Sequence, residues 1–166
     1  VEEKKPKENN SFIISVMGNY FLTSLGNEGI RTLRGSLETK HLKSPLGLDE
    51  EELEDTCNRV KRLVKRLGDE YPMCGKVVYG PLPRYVPDCC KDHETKKVVL
   101  SEIRRVDMVL RDKVKDMENT KYRSTLIGEG NFGVNFNFLK WDGVHLNEDG
   151  KGCVAQDILA TLEEKD

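Results

Sequence analysis

Between Asp49 and Leu67 the apolar side chains fall at Leu53, Cys57, Val60, Val64 and Leu67, in steps of four, three, four and three. That spacing places them on one face of an α-helix and requires a hydrophobic surface to receive them. The first turn is acidic (Asp49, Glu50, Glu51, Glu52) and the later turns are basic (Arg59, Lys61, Arg62, Lys65, Arg66), which complements the helix dipole. Gly68 stands where a C-terminal cap is expected. A second stripe, Val99, Ile103, Val106, Leu110, Val114 and Met117, predicts a helix from about Thr95 to Met117.

Short apolar runs alternate with these helices. Ser11 to Met17 (SFIISVM) is expected to be a strand buried on both faces. Lys76 to Tyr79 (KVVY), ended by Gly80-Pro81, and Arg123 to Ile127 read as two more strands, and a closing helix carries Val154, Ile158 and Leu162. Tyr20 to Leu25 reads as a short helix, and Gly26 to Leu48 as irregular chain. Strand-helix alternation implies parallel pairing through crossover helices. The fold class is therefore α/β: a three-layer α/β/α arrangement with a parallel sheet, flavodoxin-like, with three strands visible. Ligands in such sheets bind at the carboxyl ends of the strands, here after Met17, Tyr79 and Ile127.

A length of 166 residues bounds this to one domain. Residues 1–10 (VEEKKPKENN) form a polar linker, a further segment is expected before Val1, and residues 11–166 form the domain. Charged residues make up 34% and hydrophobic residues 37%, enough apolar content for a core beneath long solvated helices. The net charge of −2 gives no basic footprint for nucleic acid, so RNA binding is unsupported by charge. Arg31, Arg34, Lys40 and Lys43, near His41, could form a small anion-binding patch; His41 and His93 read as surface residues. No apolar run approaches the roughly 20 residues of a membrane span.

The five cysteines, Cys57, Cys74, Cys89, Cys90 and Cys153, are odd in number and lack CxxC spacing, which speaks against a zinc site or a disulfide framework. Reduced thiols imply an intracellular, cytoplasmic protein. Residues 128–133 (GEGNFG) spell GxGxxG, but no kinase lysine, HRD or DFG segment follows and Asn135 to Leu139 has no helical stripe. The motif reads as a loop beside the active face. No cofactor and no metal are expected.

The segment Trp141 to Gly150, WDGVHLNEDG, carries Asp142 and His145 between the last strand and the last helix, with Asn147 as the helix N-cap. An imidazole can take a proton from a hydroxyl at neutral pH, and a neighbouring carboxylate fixes its tautomer. DGVHLNEDG before a final helix resembles the D-x-x-H block of the SGNH, or GDSL-type, hydrolases. Met17-Gly18-Asn19-Tyr20 is similar to that family's G-x-N-D element, and Val77 to Pro83 (VVYGPLP) to its next strand. The resemblance spans about Ser11 to Leu162.

That resemblance implies Asn19 as oxyanion donor, Asp142 as orienting carboxylate and His145 as general base of a serine ester hydrolase acting on a small ester. Met17 and Tyr20 depart from the G-x-N-D pattern, and no G-D-S nucleophile block occurs in the chain; Gly68-Asp69-Glu70 is the nearest sequence. The strands correspond to the family's last three, leaving the first with an open edge. The nucleophile, unknown here, would come from an upstream segment or a complementary chain, or the edge would pair with a second copy. Two alternatives stay open. One is a non-catalytic, protein- or RNA-binding interaction module that has lost its serine; the other is an unrelated flavodoxin-like regulatory fold.

Overall fold

The computed structural model describes residues 10–15, 50–81, 93–124, 138, 140 and 145–164. Over these the chain runs β1 (Ser11–Ser15), α1 (Glu50–Glu70), β2 (Gly75–Tyr79), α2 (His93–Val114), β3 (Thr120–Arg123) and α3 (Glu148–Glu163). The sheet has the order β1-β2-β3 with both pairs parallel, setting Ile14 beside Val78 and Val78 beside Tyr122. The α/β class and the three-stranded parallel sheet are those the alternating pattern requires.

Strand alternation sends Val78 and Tyr122 to one face and Val77, Tyr79, Lys121 and Arg123 to the other. On the first face Tyr122 donates from its hydroxyl to Asp107 of α2, and α1 packs on α2. On the second face Tyr79 and Arg123 bond Asp157 of α3, and Lys121 donates to the carbonyls of Thr161 and Glu164. Three layers result. Both crossover helices lie on one side while the strand order steps one way, as a common crossover hand demands.

The core lies between the sheet and the α1/α2 pair. Leu53, Cys57, Val60 and Val64 of α1 meet Ile103, Val106, Leu110 and Val114 of α2, all buried. Each such side chain contributes about 1.5–3 kcal/mol by leaving water. At the exposed margin Lys113 pairs with Glu54 across the two helices.

Several boundaries differ from expectation. α1 does not stop at Gly68 but continues to Glu70, and the Tyr71 N–H still donates to the Leu67 carbonyl at 2.9 Å. Gly68 serves space, since a Cβ there would stand 3.2 Å from the Nζ of Lys76. β1 is buried on one face only. Ile14 is buried while Ile13 is 42% exposed, because α3 packs against β2 and β3.

β3 starts at Thr120 and ends at Arg123, earlier than expected; residues 125–127 lie outside the described residues. α2 begins at His93 and ends at Val114, so Met117 falls in the following turn, its N–H bonded to the Val114 carbonyl. In α3 Leu162 is exposed, and Gly150, Asp157 and Thr161 are the buried positions. Among the described residues no helix is long and apolar enough to cross a membrane. The first nine residues of the linker, the short helix at Tyr20 to Leu25, the segment Gly26 to Leu48 with His41, Cys89, Cys90 and the GEGNFG loop lie outside the described residues.

Candidate active site

α3 runs opposite to the strands. Its Asp157 reaches Arg123 at the end of β3, whereas the later Thr161 and Glu164 carbonyls receive Lys121 near the start of β3. The amino end of α3 therefore points toward the carboxyl ends of the strands, the end where open α/β sheets place their chemistry. His145 lies two residues before the cap of this helix and is exposed.

Local chemistry holds His145 in place. Asn147 is extended (φ −78°, ψ 179°), and its side chain accepts the Gly150 N–H at 2.8 Å, the expected N-cap. The Asn147 N–H donates to the Phe138 carbonyl at 3.0 Å, and the Lys140 N–H to the His145 carbonyl at 2.7 Å. Phe138 and Lys140 thus lie along 145–147. Gly150 permits the approach, because a Cβ there would lie 2.3 Å from the Phe138 carbonyl oxygen. Phe138, Leu146, Cys153, Val154 and Ile158 then pack around buried Tyr79.

Of the residues implied by the resemblance, His145 is described; Asn19 and Asp142 lie outside the described residues. Pro81 is the last described residue of the Gly-Pro exit from β2.

Two buried carboxylates brace this end of the sheet, and neither was anticipated. Asp157, 2% exposed, accepts from the Tyr79 hydroxyl at 3.0 Å and from Arg123 Nη2 at 3.2 Å. Asp107, 1% exposed, accepts from Tyr122 at 2.5 Å and from the Ser124 hydroxyl at 2.7 Å. Gly80 makes room for that second group, since a Cβ would stand 2.6 Å from an Asp107 oxygen and 2.7 Å from the Tyr122 hydroxyl. Burial first, then the adjacent carboxylate, pushes the Tyr79 and Tyr122 phenols well above the ordinary tyrosine range. A sequence signal existed for both acids. Asp107 follows Val106 within the α2 stripe, and Asp157 lies three residues after Val154 and four before Thr161.

A depression of about 210 Å³ at the end of β3 is lined by Arg111, Tyr122, Arg123 and Ser124. Two larger cavities, of about 330 and 340 Å³, lie at the opposite end of the strands around Lys76 and Asn119. Among the described residues the two larger cavities and His145 thus lie at opposite ends of the sheet; the histidine, with its chemistry, marks the candidate active site. Among the described residues no three His, Cys, Asp or Glu side chains group as metal ligands.

No family model matches the chain, and no curated protein matches it. A solved structure from Streptococcus pneumonia, bearing the provisional name of a platelet activating factor, is similar over 98% of this chain and 86% of its own, with a TM-score of 0.54 and 12% identity. At that identity the likeness shows the fold, an α/β frame around a parallel sheet.

Proposed function

We propose that this chain carries the acid-base half of an SGNH/GDSL-like serine ester hydrolase. The observation that carries the reading is that His145 is exposed and lies two residues ahead of a capped helix whose amino end is turned toward the carboxyl ends of the parallel strands. The likeness to a protein named for platelet activating factor supports a hydrolase-like frame.

In this reading His145 takes the proton of a serine hydroxyl as that oxygen bonds to the ester carbonyl carbon. Asp142 holds the imidazole tautomer and stabilises the imidazolium, and Asn19 donates to the oxyanion. His145 returns the proton to the departing alcohol, and water, deprotonated by the same imidazole, releases the acid. The serine is supplied by an upstream segment or a second chain that adds a strand beside β1, the edge strand whose Ile13 is 42% exposed.

The test is hydrolysis of p-nitrophenyl acetate by the natural full-length polypeptide. His145→Ala is expected to lower kcat by about 10²–10⁴-fold. An unchanged kcat would remove His145 from the chemistry and leave the interaction module as the reading to pursue.

A further inference from the structure

The buried positions of α3 are Gly150, Asp157 and Thr161, whereas Leu159 and Leu162 are exposed and Val154 and Ile158 only partly buried. A helix is ordinarily held in one rotation and register by an apolar stripe, and α3 buries no such stripe of large side chains. Polar bonds hold it in place of one. Both oxygens of Asp157 are taken, one by the Tyr79 hydroxyl of β2 at 3.0 Å and the other by Arg123 Nη2 of β3 at 3.2 Å. Lys121 of β3 adds bonds to the Thr161 and Glu164 carbonyls. A buried ionic network is a weak source of stability beside apolar packing, and its best use is to fix register.

Tyr79 joins this network to His145. Its ring, 0% exposed, packs against both Phe138 and Leu146. Leu146 is the residue after His145, and Phe138 lies across from it, accepting the Asn147 N–H while the Lys140 N–H bonds the His145 carbonyl. The ring therefore supports both sides of the backbone clamp that carries the histidine. A phenylalanine would fill the same space; the hydroxyl adds the bond that ties the ring to Asp157 in the middle of α3. We propose that Tyr79 and Asp157 are positioning residues for His145: their hydrogen bond locks α3 onto β2, and the tyrosine ring passes that fixed placement to Leu146 and the histidine beside it. The catalytic consequence rests on the hydrolase reading, in which a misplaced base slows proton transfer without weakening substrate binding. The positioning itself does not rest on it.

The experiment compares Tyr79→Phe, which keeps the ring and removes the bond, with the unaltered protein in two measurements. The first is amide hydrogen exchange of the full chain by NMR. The Lys140 and Asn147 amides, which close the clamp, are expected to exchange faster, by a factor about tenfold larger than any change at the Val64 and Leu110 amides of the core. A merely structural role would speed the core amides through global unfolding and give the clamp no excess, which would overturn the proposal. The second is ester hydrolysis by the natural full-length polypeptide, where kcat is expected to fall about tenfold with KM unaltered. An unchanged kcat in a polypeptide whose hydrolysis His145→Ala abolishes would likewise overturn it. Absence of hydrolysis in the unaltered polypeptide would instead defeat the hydrolase reading, and the exchange measurement then decides the positioning alone. Should Tyr79→Phe fail to fold, Leu146→Ala, which removes the contact between the ring and the neighbour of His145, is read by the same two measurements with the same outcomes.

Discussion

Gly150 shows how much one missing methyl group decides. Its Cβ would meet the Phe138 carbonyl oxygen at 2.3 Å, so Gly150→Ala must push Phe138 off the first turn of α3. A loss of about 1–3 kcal/mol is expected, read by urea denaturation. Asp157 carries a different risk. Asp157→Asn leaves Arg123 without its closest carboxylate, and its Nε is already buried with no partner; a loss of about 3 kcal/mol is expected in the same measurement. The Asn147 cap was legible because it needs only a residue type before a helix. The two buried aspartates show in the sequence only as positions within the helical stripes, and a carboxylate on a helix is ordinarily solvated; the tertiary donors Tyr79, Arg123, Tyr122 and Ser124 reverse that.

Among the elements, helical stripes translated well into structure and strand edges did not. The α1 and α2 stripes were readable because each repeats over several turns, and Leu53, Cys57, Val60 and Val64 of the one and Ile103, Val106, Leu110 and Val114 of the other are buried. The short runs of β1 and β3 carry few residues, and their burial depends on which helix covers them, which local pattern does not encode. Ile13 is exposed for that reason, and Leu162 of α3 likewise. The elements therefore differ in tolerance. Leu110→Ala, at a position 0% exposed between α2 and its neighbours, is expected to cost about 2–5 kcal/mol, whereas Leu162→Ser should stay within about 0.5 kcal/mol, both by thermal or urea unfolding.

The whole molecule responds to pH through groups that both faces of the sheet bury. Burial raises the Cys57 thiol from its ordinary value near 9.0 to about 11, and Tyr79 and Tyr122 rise well above theirs near 10.0. Raised folded-state values mean that the unfolded chain gives up these protons first. Stability is thus fully present below about pH 9 and falls as pH rises through the range in which the unfolded thiol and phenols ionise. Urea midpoints at pH 8, 10 and 11 check this, and Tyr79→Phe should reduce the fall. At this scale the α/β architecture could be read from the alternation of elements, and the His145 end of the site from its position before the last helix. Which other residues stand beside His145 could not be read from pattern, since side chains distant in sequence meet only through the fold. Labelling the natural full-length polypeptide with a fluorophosphonate probe tests the central claim most directly. The account predicts covalent labelling of a serine outside these 166 residues, abolished by His145→Ala with the fold retained; absence of labelling, or labelling indifferent to His145→Ala, would contradict it.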